Sequence, residues 1–201
     1  MKTKMTAQKG PLHGIQVLEL AHVMAGPVCG LMLADLGADV IKVEKMPGGD
    51  DSRRMIPPRV GDESAAFMMM NRNKRGVAIN LKDEGGRNVL RRLVEEADVL
   101  IENYRHDTME KLGLGYNELK KINPGLVYCE ISGFGRSGPY REQGGFDLIA
   151  QGMSGLMSIT GEDEGRPPVK VGAPLTDITA GILGALGTLA ALIQRRNSGK
   201  G

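Results

Sequence analysis

Short apolar runs alternate along the chain with stretches of helical periodicity, the pattern of a parallel sheet joined by crossover helices. Ile15–Leu20 (IQVLEL) reads as a first strand. Pro27–Leu36 reads as a helix, with proline in its first turn and Gly37 just past its end, and Val40–Val43 as a second strand. This βαβ unit predicts a doubly wound, mostly parallel, Rossmann-like α/β sheet with flanking helices. Lys45 to Asn73 follows as a long irregular stretch rich in Pro, Gly and Arg; such loops usually serve a function or lie across a partner. Val77–Leu81, Val99–Ile101 and Leu126–Ile131 complete the strands, and Glu84–Glu96 sets Val89, Leu90, Leu93 and Val94 at helical spacing. Asn117–Ile122 reads as a short helix stopped by Asn123–Pro124, Asp147–Ile159 as helical and Gly161–Gly172 as a loop. The longest predicted helix is Asp177–Arg196. Gly181, Gly184 and Gly187 recur in it every three residues, costing roughly 1 kcal/mol each relative to Ala, which points to another backbone packed close against them.

Composition narrows the function classes. The 201 residues suit one domain with a substantial core. The 26 basic residues are nearly balanced by 24 acidic ones and only 3% of residues are aromatic, so no dedicated nucleic-acid surface is indicated. A small anionic ligand stays open. Cys29 and Cys129 have no CxxC or Cys/His ligand spacing, so neither a zinc site nor a disulfide framework is expected, and a reducing cytoplasm fits. The start, MKTKMTAQKGPLHG, lacks an apolar signal core. The apolar run Ile178–Ile193 is shorter than the roughly 20 residues of a membrane span and is closed by Asp177 and Arg195, so a buried helix is expected.

Several places carry candidate chemistry. Gly133-Phe-Gly135-Arg-Ser-Gly138 matches G-x-G-x-x-G after a strand, but Pro139 and a polar stretch follow where a phosphate-binding helix should begin, which argues against a nicotinamide or flavin site. Glu44 ends the second strand, where Rossmann enzymes grip a ribose, yet the first turn, Ala21-His-Val-Met-Ala-Gly26, lacks the three-glycine spacing. His22 in that turn is by position a structural hydrogen-bonding residue or a catalyst. Lys42 and Lys45 at one strand end, and Lys74 and Arg75 before another, are a solvated face or a phosphate-binding set beside glycine-bearing turns. Asp177 opens the long helix after a glycine- and proline-bearing loop. Position alone makes it a helix cap. The same position suits a nucleophile kept ionised by the helix dipole, with terminal N–H groups near an attacked carbonyl.

Read in order, VLELAHVMAGPVCGLMLADLGADVIKVE, NRNKRGVAINLK, ADVLIENYRHDTMEKLGLGY, NPGLVYCEISGFGRSGPY, GGFDLIAQGMSGLMSITG and GAPLTDITAGILGALGTLAAL resemble the class III coenzyme A transferases. That family takes in formyl-CoA transferase, carnitine CoA-transferase, bile-acid-inducible protein F and the α-methylacyl-CoA racemases. The resemblance runs from about Gly10 to Gly201 and implies an acyl-CoA:carboxylate CoA-transferase. In it Asp177 matches the nucleophile, which passes through acyl-aspartyl anhydride and aspartyl-CoA thioester intermediates. By the same resemblance His22, Met24, Lys45, Lys74, Arg75, Ile79, Asn80, Leu81, Lys82, Asn103, Tyr104, Arg105 and Lys111 match its coenzyme A contacts. Met24 replaces a glutamine of the formyl-CoA transferases and so argues against formyl-CoA/oxalate specificity. Phe146, also assigned to the binding set, stands where racemase members carry a proton-moving histidine, which favours transfer. The Gly145–Gln151 and Gly155–Gly161 segments look most like the branch acting on dicarboxylates such as succinate. Acyl-CoA and a small carboxylic acid are the implied substrates, with no permanently bound cofactor, no metal, and no nucleic-acid or membrane partner. Full-length members form interlocked homodimers, and residues 1–201 match the N-terminal part of their large CoA-binding domain. A non-catalytic CoA-binding fragment that needs a separate C-terminal half is the alternative, as is a racemase-like enzyme.

Overall fold

The computed structural model describes residues 10–162 and 165–201. In chain order the strands are β1 (Gln16–Glu19), β2 (Asp39–Lys45), β3 (Arg59–Val60), β4 (Glu63–Ser64), β5 (Lys74–Ile79), β6 (Val99–Glu102) and β7 (Val127–Glu130). The helices are α1 (Ala25–Asp35), α2 (Ala65–Asn71), α3 (Glu84–Glu96), α4 (Thr108–Lys111), α5 (Tyr116–Ile122), α6 (Asp147–Met153) and α7 (Leu175–Ser198). Five strands form one sheet in the order β5-β2-β1-β6-β7, every pair parallel, so the predicted doubly wound α/β fold is present.

Both faces of this sheet are covered, as an all-parallel sheet requires. Leu18, Leu20, Val43 and Leu100 pack with Leu90 and Val94 of α3 and Leu119 of α5. On the other face Val17, Val40, Val99, Ile101 and Val127 meet Cys29 and Leu33 of α1 and Ala185 and Leu192 of α7. Strand order reverses at β1 and β6, and open α/β sheets bind ligands outside the carboxyl ends of the strands at such a point.

Helix α7 lies close on α1. A Cβ on Gly181 would stand 2.6 Å from the Ala25 carbonyl oxygen and 2.7 Å from the Val28 Cβ, and one on Gly184 3.0 Å from the Ile131 Cδ1. Gly187 meets nothing within 4 Å, so close packing accounts for two of the three glycines only. At 24 residues and mean hydropathy 1.6 over its most apolar window, α7 is longer than the apolar run suggested and would be long enough to span a bilayer. Its buried residues are Gly181, Ala185, Thr188 and Leu192, while Ile182, Leu183, Leu186 and Ile193 are exposed, so only one face is buried.

Other departures have local causes. The stretch Lys45–Asn73 is partly ordered: it holds the β3–β4 hairpin and α2, which Ser64 caps by accepting from the Phe67 N–H, and the Arg53 guanidinium lies 3.7 Å over the Phe67 ring. Gly155, at φ +79°, breaks the predicted Asp147–Ile159 helix after α6, leaving Leu156–Ile159 as a separate 3₁₀ turn. Residues 163–164 of the predicted Gly161–Gly172 loop lie outside the described residues. Cys29 and Cys129 are free thiols, far apart in sequence but both beside Gly184, 3.4 and 3.5 Å from where its Cβ would be.

Candidate functional site

The turn after β1 is held from three directions. Val23 has φ +65°, a left-handed conformation that is a genuine outlier for a β-branched residue and costs on the order of 1–3 kcal/mol. Its N–H donates to both oxygens of Asp50, at 3.1 and 3.3 Å. Asp50 is fully buried and lies 2.8 Å from the Lys42 ammonium, which also donates to the Ala21 carbonyl at 2.8 Å and to Glu19 at 2.9 Å. The Asn103 side-chain amide, just past β6, accepts from the His22 N–H at 2.8 Å and donates to the His22 carbonyl at 2.9 Å.

Lys74 completes a buried set of two cations and two anions by pairing with Glu19 at 2.7 Å. Burial raises the Asp50 pKa, but the Lys42 ammonium outweighs it and leaves it at about 2. Burial likewise pulls Lys42 down, yet Glu19 and Asp50 carry it above its ordinary value. The paired geometry is what makes such burial tolerable, since an uncompensated charge there would be strongly destabilising.

Around this turn opens a cleft of about 460 Å³, at the carboxyl ends of β1, β6 and β7. It brings together His22, Met24, Asn103, Tyr104, Arg105, Phe146 and Asp177 from the predicted set. The His22 ring stacks on Tyr104 at 5.3 Å, and its Nδ1 is buried with no hydrogen-bond partner among the described residues. Burial lowers its pKa most, so the ring favours the neutral form.

Asp177 is in the first turn of α7 and does not act as its cap. Asp147 takes that role from α6: its Oδ1 accepts from the Thr176 N–H at 2.9 Å and the Thr176 hydroxyl at 2.7 Å. Among the described residues the Asp177 carboxylate accepts no hydrogen bond and forms no ion pair. Burial first, and then the charge of Asp147, push its pKa above the ordinary aspartate range. The helix dipole expected to hold it ionised is therefore opposed by its surroundings.

The remaining predicted residues divide. Ile79, Asn80, Leu81 and Lys82 stand at the carboxyl end of β5, the edge strand, on the same rim of the sheet as the cleft but outside it. Lys45 ends β2 and pairs at 2.8 Å with Asp51, which lines the cleft. Lys111 is exposed on α4, outside it. Lys74 and Arg75 begin β5 and lie outside the cleft, the Lys74 side chain reaching to the carboxyl end of β1. The Lys74 ammonium is spent on Glu19, the Pro27 carbonyl and Asn71, and Arg75 pairs with Asp39. Glu44 is likewise occupied, gripped by Arg53 through two bonds of 2.7 and 2.8 Å.

The Gly133–Gly138 segment is a turn with no helix after it, as its sequence context implied, and it forms a wall of the cleft. Gly133 and Gly145 pack backbone to backbone, closing the loop between them. That loop also brings Arg141 and Gln143 to the cleft, and Asp50 supports it from beneath the first turn. The sequence reading missed these three. Among the described residues no three His, Cys, Asp or Glu side chains gather as metal ligands would.

A parallel, doubly wound sheet with a half-buried carboxylate in a cleft at its reversal point defines a ligand-binding α/β protein whose candidate chemistry is nucleophilic or acid–base. The match of residues 12–201 to CoA-transferase family III goes further, and the chain belongs to that family. It is 49% identical to a succinate–glutarate CoA-transferase of Agrobacterium fabrum, covering 99% of this chain and 51% of that protein. It is 44% identical to a mouse succinyl-CoA:glutarate CoA-transferase, covering 95% and 44% respectively. The crystal structure of a CAIB/BAIF family protein from Brucella suis superposes with a TM-score of 0.92 at 48% identity, covering 96% of this chain and 52% of that one. The chain thus spans about half the length of the curated relatives it matches.

Proposed function

We propose that this chain carries the nucleophile of a CoA-transferase that moves coenzyme A from an acyl-CoA to a carboxylic acid, and that Asp177 is that nucleophile. The observation that carries the reading is Asp177 itself: a half-buried carboxylate in the wall of the cleft, with its helix capped by Asp147 instead. A raised pKa makes the ionised carboxylate more basic, and its oxygens are left unengaged by hydrogen bonds among the described residues.

In the proposed reaction an Asp177 oxygen attacks the thioester carbonyl, a C–O bond forms, the C–S bond breaks, and CoA thiolate leaves a mixed anhydride. The thiolate then attacks the Asp177 carbonyl of that anhydride, giving an aspartyl-CoA thioester and releasing the donor carboxylate. The acceptor carboxylate attacks this thioester to form a second anhydride and free the thiolate again. Attack of the thiolate on the acceptor's carbonyl makes the product acyl-CoA and returns the Asp177 carboxylate. Each anhydride divides one difficult exchange into two easier steps.

Coenzyme A would lie along the carboxyl rim, where the ends of β5 (Ile79–Lys82), β2 (Lys45), β1 (His22–Met24) and β6 (Asn103–Arg105) follow one another. Dicarboxylic acids are the favoured substrates: the relatives' names carry succinate and glutarate, and Arg105 and Arg141 supply cations to the cleft for a second carboxylate. Phe146, exposed on the cleft, offers no exchangeable proton, which supports transfer over racemisation. Residues 1–201 are read as the N-terminal part of the CoA-binding domain.

The test is CoA transfer by the full natural polypeptide from succinyl-CoA to a panel of mono- and dicarboxylates, with hydroxylamine trapping of the enzyme adduct. Asp177→Ala is expected to lose about three orders of magnitude in turnover, and the adduct on Asp177 to vanish with it. Full transfer by Asp177→Ala would overturn the assignment.

A further inference from the structure

The backbone of Ala21–Val23 is tied by side chains from three other segments. Lys42 of β2 holds the Ala21 carbonyl, Asn103 after β6 holds both the His22 N–H and its carbonyl, and Asp50 holds the Val23 N–H. Two of the three are held in turn: Lys42 joins Asp50 at 2.8 Å, and Asp50 accepts from the Ser52 N–H and hydroxyl, each at 2.8 Å. What they hold is a valine in a conformation that valine resists. Strained backbone of this kind persists only where its surroundings over-determine it, and it gathers at functional sites.

We infer that Asn103, Asp50 and Lys42 are positioning residues, a clamp that keeps the Ala21–Val23 turn strained so that the His22 ring and Met24 face the cleft that Asp177 lines. Asn103 thereby acts through the turn, since its amide is already engaged on both sides, and the family resemblance alone would have made it a direct contact with coenzyme A. The His22 ring is the product of the clamp: packed on Tyr104, with an Nδ1 that has no protein partner among the described residues. This inference rests on the reading of the cleft as the site of CoA transfer.

Positioning and ligand contact leave different kinetic marks. In the full natural polypeptide, Asn103→Ala and Asp50→Asn are expected to lower kcat 10- to 100-fold while KM for acyl-CoA, and the Kd for coenzyme A measured by calorimetry, change less than threefold. Val23→Gly removes the resistance to a positive φ, so in either background it should restore kcat at least fivefold. In NMR spectra Asn103→Ala should move the ring signals of His22 and leave those of His13 and His106 in place. Should Asp50→Asn fail to fold, Asn103→Ala, whose side chain is only half-buried, decides the matter. A tenfold rise in the Kd for coenzyme A with kcat unchanged would make Asn103 a direct contact and overturn the inference. So would wild-type kinetics in Asn103→Ala, or no rescue by Val23→Gly. Absence of any CoA transfer by the wild type, or full transfer by Asp177→Ala, would instead overturn the functional reading beneath it.

Discussion

Glu102 ends β6 with only 2% of its surface exposed. Its Oε2 accepts from the Tyr104 N–H at 2.8 Å and its Oε1 from the Tyr128 hydroxyl at 3.3 Å. These bonds favour the charged carboxylate, but burial opposes it more strongly and Glu130 adds like charge, so the pKa rises from 4.5 to about 7. A carboxyl with a raised folded-state pKa binds its proton more tightly in the folded protein than in the unfolded chain. Its contribution to stability is therefore complete below pH 4.5 and is lost as pH rises through 7. The shift from 4.5 to about 7 is worth about 3 kcal/mol, which is on the order of 6–12 °C in Tm for a domain this size. Glu102→Gln keeps an oxygen for the Tyr104 N–H and removes the titration. Denaturant and thermal melts of the wild type and Glu102→Gln from pH 5 to 8.5 should diverge in the variant's favour as pH rises from 5 to about 7 and keep a constant gap above that. A difference between the two that stays constant across the whole range would refute the reasoning.

Gly181→Ala should cost about 1–3 kcal/mol, because its methyl would meet the Ala25 carbonyl and Val28. Gly187→Ala, with open space around it, should stabilise by up to about 1 kcal/mol; equal effects in chemical denaturation would refute the packing account. Asp147→Ala should destabilise by about 1–2 kcal/mol through loss of the α7 cap. It should also move the Asp177 pKa down, read as an acid-side shift in the pH profile of the complete enzyme's CoA transfer.

What was legible in the sequence were the features that one segment specifies by itself. The apolar runs of β1, β6 and β7 and the 3.6-residue spacing in α3 are local, and each appears within a residue or two of its expected place. Helix α2 was hidden because its Met-rich sequence has no distinct stripe and is held by contacts from elsewhere, Arg53 over Phe67 among them. The start of β5 was hidden because Lys74 and Arg75 are polar, and they sit in a strand only through pairing with β2. The same distinction governs the site. His22, Met24, Tyr104, Phe146 and Asp177 stand in motifs at strand or helix ends, which the topology gathers into one cleft. Lys74 begins its strand and spends its ammonium on Glu19 outside the cleft, and Asp50 gains its place by reaching a backbone N–H 27 residues away.

Asp177 illustrates why position on a helix is a poor guide to what a carboxylate does there. A cap spends its oxygens on terminal N–H groups, which lowers its basicity and holds it in the helix frame. Here that work falls to Asp147, one turn of chain beyond the loop that closes the cleft, and the charge it brings raises the basicity of its neighbour. One residue thus serves two ends: the helix is anchored, and the adjacent carboxylate stays unoccupied and, once ionised, more basic. In the proposed reaction those are the properties an attacking carboxylate needs, because a nucleophile already bound to N–H groups would have to break those bonds before reaching a thioester carbonyl. The Asp147–Thr176 bonds also join α6 to α7, and Thr176 lines the cleft beside Asp177.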